Sequence, residues 1–152
     1  MSVKIIAIGK KHDSWVAEGI ERYQKRLKAP FSVEWVLMAH SPFDGVKARQ
    51  DESERVLSRL DARAYVVLLD ERGRELDSPG LAALLEEPLG RSREVVLVIG
   101  GAYGVDDRLR ERADAVWSLS PLVFPHQLVR LILTEQLYRA QQIVGGGKYH
   151  HE

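Results

Sequence analysis

Apolar residues occur along the chain in short runs separated by longer segments with polar and charged positions. Four of these runs are almost continuously apolar, which is typical of strands buried on both faces of a sheet. They cover residues 3–9, 64–70, 94–99 and 115–119. Residues 31–37 instead alternate apolar and polar side chains, the period of a strand with one buried face. The pattern therefore predicts about five strands.

The segments between these runs carry the spacing and capping residues of helices. After the first strand we predict a helix that begins at Asp13 or Ser14 and ends before Pro30. Further helices are predicted over residues 46–60, after Ser78 as N-cap, after Asp106 or Asp107, and from about His126 to Ile143. Residues 40–45 and 71–75 are predicted to be loops.

Strands that alternate with helices indicate βα units. We therefore predict a single α/β domain over residues 1–152, with a mainly parallel sheet flanked by helices on both sides. The last predicted helix is apolar over most of its circumference. Such a helix is either sandwiched within the fold or part of a subunit interface, for which a symmetric dimer is the commonest arrangement.

Composition excludes several classes of protein. The chain has 152 residues, of which 45% are hydrophobic and 29% charged, and it has no cysteine. Disulfides, thiolate metal sites and a cysteine nucleophile are therefore excluded. The longest apolar runs are far shorter than the roughly 20 residues that span a bilayer, and the first residues do not resemble a secretory signal. We expect a cytoplasmic protein. Its 22 basic and 22 acidic residues balance, so a general attraction to nucleic acid is not expected.

Three loops after predicted strands are best suited to bind a ligand. One follows Leu69, one has the sequence Gly-Gly-Ala-Tyr-Gly at 100–104, and one runs from Leu119 to Pro125. Because the carboxyl ends of parallel strands share one edge of the sheet, we expect these loops to form one pocket. The glycine loop allows close approach of a ligand to the backbone, but it matches neither the dinucleotide fingerprint nor the P-loop.

Other polar side chains have more than one interpretation. His126 is expected to cap or orient the last helix, with catalysis as the alternative. Arg130 and Arg139 are nine positions apart and do not share a helix face. Residues 145–152 form either a frayed terminus or a hinge that brings Tyr, His and Lys side chains to a neighbouring site. The final His-His-Glu sequence is not expected to bind a metal, because adjacent side chains rarely converge on one ion.

Several motifs, taken together, resemble one protein family. They are Ile99-Gly100-Gly101-x-x-Gly104, Trp117-Ser118-Leu119-Ser120, Phe124-Pro125-His126-x-Leu128-Val129-Arg130, Glu135-Gln136-Leu137-Tyr138-Arg139-Ala140 and Tyr149-His150. In order and spacing, over essentially the whole chain, they resemble the RlmH (YbeA-like) branch of the SPOUT methyltransferases.

The resemblance implies a fold, an activity and partners that the residue pattern alone does not show. It implies an α/β domain whose C-terminal part forms a trefoil knot, assembled as a homodimer. It implies methyl transfer from S-adenosylmethionine to N3 of a pseudouridine in 23S ribosomal RNA (pseudouridine-1915 type), on the assembled ribosome. Metal, DNA and membrane partners are not expected.

Two groups of site residues follow from the resemblance, motif by motif. Arg139, Tyr149 and His150 are expected to face the target base, with contributions from both subunits. His150 would accept the N3 proton, Arg139 would stabilise the anion and Tyr149 would stack on a base. The cofactor would be held by Leu69, Gly100, Gly101, Ser120, Pro121, Leu122, Val123, Phe124 and Pro125. The chain departs from the family at Ala102, where proline is frequent, and at His151, where a basic residue is frequent.

Three alternatives fit part of the pattern. The main one is a non-catalytic ribosome- or RNA-binding module of the same fold, which would not bind S-adenosylmethionine. A nucleotide-binding enzyme of flavodoxin type is disfavoured, because the sequence has no recognisable phosphate loop. A purely structural dimer would leave the converging loops without a purpose.

Overall fold

The computed structural model describes residues 2–151 and alternates strands with helices along the chain. The strands are β1 (Val3–Ile8), β2 (Val33–Met38), β3 (Tyr65–Glu75), β4 (Val95–Ile99) and β5 (Ala115–Ser118). The helices are α1 (Ser14–Gln24), α2 (Gly45–Leu57), α3 (Ser78–Gly90), α4 (Asp107–Arg112) and α5 (His126–Val144). The predicted succession of βα units is confirmed.

The strands form one five-stranded sheet in the order β2-β1-β4-β3-β5, and every neighbouring pair is parallel. All five residues of β4 are buried. Side chains of consecutive strand residues point to opposite faces, and Leu97 and Val98 accordingly belong to different core clusters. This explains why the central strands are continuously apolar: both faces of the sheet are covered.

Helices cover both faces, as predicted. On one face, residues of α3 and α5 pack on the sheet around Leu85, Leu133 and Leu137. The opposite face is packed by α2 and α4 through Val56 and Leu109. Helix α5 lies against α1 on one side and α3 on the other. Helix α5 therefore packs within this chain on two sides, which favours the first of the two interpretations, while Leu128, Leu131 and Ile132 are only partly buried.

The end of β3 differs from the prediction. Residues 71–75 do not form a loop, because β3 continues through them and pairs with β5 a second time after a shift in register between Leu69 and Arg74. Gly73 makes this close approach possible, since a Cβ atom there would lie 2.6 Å from the Val116 carbonyl oxygen. Most side chains of this extension are exposed, so the extension has the polar composition of a loop.

Smaller differences occur at the ends of elements. The N-cap of α3 is Asp77 and not Ser78, because the Asp77 carboxylate accepts a hydrogen bond from the Gly80 amide at 2.7 Å. Phe31 lies before β2, although its side chain is buried in the core. Helix α2 ends at Leu57, three residues earlier than predicted.

The fold also bears on membrane association and assembly. Within residues 2–151, no helix combines the length and the apolar character needed to cross a membrane. The homodimer and the trefoil knot stay predictions from the resemblance.

Candidate functional site

The three loops predicted to converge do so at the carboxyl edge of the sheet. They enclose a cavity of about 560 Å³, called the first cavity here. Seven of the nine residues expected to hold the cofactor line it: Leu69, Gly100, Gly101, Ser120, Leu122, Val123 and Phe124. Pro121 and Pro125 belong to the same loop but do not line the cavity. The predicted convergence is confirmed, while the cofactor assignment of these residues stays a prediction.

The glycine loop forms a tight turn whose backbone is one wall of the first cavity. The Gly104 amide donates a hydrogen bond to the Gly101 carbonyl at 3.0 Å, and Gly104 has a φ of 77°. A Cβ atom on Gly100 would lie only 2.9 Å from Cγ1 of Val105. Glycine is therefore required here by a positive φ and by close packing.

The loop between β5 and α5 is held by its own serines. Ser118 Oγ donates to the Ser120 carbonyl, and Ser120 Oγ accepts from the Leu122 amide, both at 3.0 Å. The side chains of Leu122 and Val123 are 69% and 78% exposed. The loop thus places two apolar side chains at the rim of the first cavity, where they can cover an apolar part of a ligand.

His126 lies at the first position of α5 and joins that helix to the glycine loop. The N-cap is Pro125, so the predicted capping role of His126 is wrong. Its ring lines the first cavity and hydrogen-bonds the Gly100 backbone. Desolvation lowers the pKa of His126, the charge of Arg130 lowers it further, and the bond to Gly100 opposes both effects. A neutral imidazole that orients α5 against the glycine loop fits these contacts.

Helix α2 supports the first cavity through two charged residues that the sequence analysis missed. Glu52 is 4% exposed, and its Oε2 accepts from the Ser41 amide at 2.9 Å. Its Oε1 faces Gly101 and has no hydrogen-bond partner among the described residues. Arg49, one turn earlier, lines the cavity. Their spacing of three places both residues on one face of α2. No sequence motif, however, identified them as part of a site.

The C-terminal tail folds back on α5 and brings together the three residues expected to face the base. Arg139 Nη2 and the Tyr149 hydroxyl both donate to Glu135 Oε2 at 2.8 Å. The Tyr149 ring packs edge-on against Tyr138, with centroids 4.8 Å apart, and lies 4.7 Å from Arg139 Cζ. Arg139 Nη1 lies 3.1 Å from His150 Nδ1. The tail is therefore docked and not frayed.

These contacts fix the protonation of the cluster. A guanidinium only donates hydrogen bonds, so His150 Nδ1 accepts and a neutral His150 carries its hydrogen on Nε2. Desolvation and the hydrogen bond to Glu135 raise the pKa of Tyr149 far above its usual value, so its hydroxyl stays protonated. The hydrogen bond to Glu135 also raises the pKa of Arg139. Glu135 was missed by the sequence analysis, although its spacing of four from Arg139 was a usable signal.

A second cavity of about 670 Å³ lies beside the first. It is lined by Leu76, Asp77, Ser78, Pro79, Trp117, Leu119, Phe124, Ile132, Gln136 and His150. Trp117, Leu119 and Phe124 line both cavities, so the two share a wall at the end of β5. His150 thus connects the tail cluster to a cavity that adjoins the proposed cofactor site.

Arg130 is in a different environment from Arg139, as the spacing predicted. Its side chain is buried and donates to the carbonyl oxygens of Ile8, Gly9 and Lys11 at 3.0–3.2 Å. It has a structural role, because it fastens α5 to the end of β1.

Metal binding was not expected at the tail. Residues 2–151 contain no group of three or more His, Cys, Asp or Glu side chains placed to hold a metal ion. Glu152 of the final His-His-Glu sequence lies outside the described residues.

Comparison with known proteins identifies a family and a set of full-length relatives. Residues 1–150 match the family model described as "Predicted SPOUT methyltransferase". A protein of Geotalea daltonii is 42% identical over 153 residues, which cover 99% of this chain and 100% of the relative. A protein of Stenotrophomonas maltophilia is 41% identical over 154 residues, covering 99% of each chain. One of Desulfitobacterium hafniense is 39% identical over 159 residues, with the same coverage. All three are named ribosomal RNA large subunit methyltransferase H.

Proposed function

The chain belongs to the SPOUT methyltransferase family, and from this premise we propose that it methylates 23S ribosomal RNA with S-adenosylmethionine as methyl donor. We propose N3 of a pseudouridine, of the pseudouridine-1915 type, as the acceptor atom and the assembled ribosome as the substrate. The names of the relatives support the RNA substrate. The specificity for N3 of a pseudouridine rests on the motifs shared with the RlmH branch.

The arrangement of the two cavities is the observation that carries this proposal. One cavity is walled by the glycine loop and the serine-held loop, and the other contains His150 from the docked tail. They share the wall formed by Trp117, Leu119 and Phe124. A methyl transferase needs two neighbouring sites, one for the donor and one for the acceptor, so that the reacting atoms meet in line.

The first cavity fits S-adenosylmethionine in size and in the chemistry of its walls. Its volume of about 560 Å³ lies within the usual range of small-molecule sites. The backbone of Gly100 and Gly101 lines the cavity and can hydrogen-bond the polar groups of the cofactor, and Leu122 and Val123 can cover its apolar parts. Arg49 offers a positive charge to a carboxylate. When bound, the cofactor supplies a methyl group that is already activated on sulfonium.

The tail cluster supplies the acid–base chemistry in this proposal. The acceptor nitrogen must lose its proton before it attacks the methyl group. A carbonyl oxygen of the base takes the Arg139 donor, which frees the Nδ1 lone pair of His150 for the N3 proton. Arg139 then stabilises the anionic imide, and Glu135 balances the positive charge around it. Tyr149 keeps its proton and offers a ring face for stacking.

Assembly and location form the remaining part of the proposal. We infer a homodimer in which both subunits contribute to the site, a C-terminal trefoil knot, and a location in the cytoplasm. The exposed apolar side chains of Leu122 and Val123 at the cavity rim support a second subunit or the ribosome as a neighbour. Neither DNA nor a membrane is a proposed partner.

Transfer of labelled methyl groups tests the proposal. Ribosomes that lack the modification and free 23S RNA are incubated in parallel with the protein and labelled S-adenosylmethionine. We expect label on ribosomes alone, located by nucleoside analysis at N3 of a pseudouridine. His150→Ala should lower turnover strongly and leave cofactor affinity unchanged, whereas Arg22→Ala, an exposed change on α1, should behave as the wild type.

The same experiment separates the main alternative. A folded wild-type chain that binds ribosomes, does not bind S-adenosylmethionine and transfers no methyl group would be a non-catalytic ribosome-binding module. A His150→Ala variant with full turnover would remove His150 as the proton acceptor while leaving the methyltransferase assignment in place.

A further inference from the structure

The second cavity has the walls of a site for a flat, uncharged ring. Six of its ten lining residues are apolar or aromatic: Leu76, Pro79, Trp117, Leu119, Phe124 and Ile132. Its few polar side chains come from the start of α3, from α5 and from the tail. Apolar walls with a small number of placed polar groups are typical of sites that bind a heterocycle and fix its orientation.

The orientation of the Gln136 amide in this cavity is fixed from both sides. Glu135 Oε1 can only accept, so the group 2.8 Å from it is the Gln136 amide nitrogen. Gln136 Oε1 therefore faces Ser78 and accepts from its hydroxyl at 2.7 Å. Within residues 2–151, no further hydrogen bond engages the second N–H of the Gln136 amide. This leaves a positioned donor among the lining residues of the cavity.

The other two polar side chains that line the cavity, Asp77 and His150, already make hydrogen bonds within the chain. The Asp77 carboxylate caps α3 through the Gly80 amide. His150 accepts from Arg139 and has its Nε2 side free. Glu135 connects the two parts of the site. Its Oε1 accepts from Gln136 and, at 3.5 Å, from Arg139 Nε, and its Oε2 accepts from Arg139 Nη2 and the Tyr149 hydroxyl. The docked tail and the Gln136 amide are thus held by one carboxylate.

We propose that the second cavity holds the acceptor base and that Gln136, held by Ser78, donates a hydrogen bond to one of its carbonyl oxygens. This inference rests on the proposed function and adds the basis of base selection. Arg139 takes one carbonyl of the base and Gln136 the other, so the site requires an imide nitrogen flanked by two carbonyl groups. A uracil-type ring satisfies this requirement. Cytosine does not, because its amino group would place a donor against a donor.

A binding experiment without turnover tests this selection. Equilibrium binding is measured in the presence of S-adenosylhomocysteine, with ribosomes that carry either a pseudouridine or a cytidine at the acceptor position. The wild type should prefer pseudouridine by about tenfold or more, the size expected from one lost hydrogen bond and one unpaired donor. In Gln136→Leu this preference should fall to a few-fold, through weaker binding of pseudouridine ribosomes.

Further variants separate recognition of the base from a structural role. Ser78→Ala should reduce the preference, and Ser78→Thr, which keeps the hydroxyl, should restore it. Gln50→Leu, on α2, is the matched control and should retain the wild-type preference. The affinity for S-adenosylmethionine should stay at the wild-type value in all variants. All should remain folded, with a small decrease in melting temperature only where a hydrogen bond is lost. A wild type without preference, or a Gln136→Leu variant with the full preference, would overturn the inference.

The outcomes for the proposed function are distinct from these. Methyl transfer by the wild type together with an unchanged preference in Gln136→Leu would leave the methyltransferase in place and remove Gln136 as the base-reading residue. If the preference for pseudouridine over cytidine depends on Gln136 but no methyl group is transferred, the cavity is a base-binding site and the proposed methyltransferase activity is contradicted.

Discussion

Glu52 and Gly101 approach each other so closely that a Cβ atom on Gly101 would lie 2.5 Å from the Glu52 Oε1 atom. The carboxylate is buried and holds the Ser41 amide through its other oxygen, so it has little room to move. Helix α2 therefore supports the glycine loop from behind and sets the position of one wall of the first cavity.

Gly101→Ala is expected to disturb this wall. The added methyl group should displace Glu52 or the loop, lower the free energy of unfolding by about 1–3 kcal/mol and weaken the binding of S-adenosylmethionine. Urea denaturation and titration calorimetry measure the two effects. Gly90→Ala is the matched control, because a Cβ atom on Gly90 would meet no atom within 4 Å. Wild-type cofactor affinity in Gly101→Ala would contradict the importance of this contact.

Glu135→Gln should release the tail. The substitution removes the charge that holds Arg139 and the Tyr149 hydroxyl, and hydrogen bonds to charged groups contribute about 1.5–3 kcal/mol. We expect turnover to fall at least about tenfold, with unchanged cofactor affinity. Hydrogen exchange of residues 145–151 should become faster. Glu111→Gln, an exposed change on α4, provides the comparison, and a docked tail in Glu135→Gln would contradict the role of this carboxylate.

Arg130→Met should destabilise the whole chain. Methionine fills much of the same volume but donates no hydrogen bond, so the carbonyl groups of Ile8, Gly9 and Lys11 lose a buried partner. The expected loss in the free energy of unfolding is about 3 kcal/mol. Urea denaturation measures it. Arg22→Met, on the exposed part of α1, should change stability by less than about 0.5 kcal/mol.

Acidification should lower stability through His12 and His126. Desolvation lowers the pKa of His12, and the neighbouring charge of Arg130 lowers it further. Below the unfolded-state pKa of about 6.5, the unfolded chain then binds more protons than the folded chain. The free energy of unfolding should therefore fall as the pH is lowered from about 7 toward about 5.

The variants His12→Asn and His126→Asn test the origin of this pH dependence. Each should reduce the difference between urea denaturation curves measured at about pH 7 and about pH 5, and the double variant should reduce it most. A wild type that becomes more stable on acidification, or a double variant with the full wild-type difference, would contradict the assignment.

Much of the fold was predictable because a parallel sheet buries both faces of its central strands. Short and almost continuously apolar runs, such as those of β1, β3 and β4, are compatible with few structures other than buried strands. The convergence of the three loops was equally predictable, since it follows from strand direction alone. The extension of β3 was not predictable from period or composition, because it depends on a glycine whose partner, Val116, is distant in sequence.

The site was less accessible from the sequence than the fold. Arg139, Tyr149 and His150 entered through a family resemblance, while the three glycines at 145–147, just before Tyr149 and His150, favoured a frayed end. The tail is docked by the edge-on packing of Tyr149 against Tyr138 and by the shared Glu135 carboxylate. Neither contact can be recognised without knowing that the tail folds back on α5. Glu52 lies within the helix predicted over residues 46–60, and only the packing of α2 reveals its contact with Gly101.

The bonds between Arg130 and the end of β1 join groups that are about 120 residues apart in the chain. Contacts of such separation require closure of a long loop, and they slow folding because chain entropy is lost before they form. The loop before α5 completes the first cavity, and it is synthesised more than 100 residues after β1. The first cavity can therefore form only after the chain from β1 to the start of α5 has been synthesised.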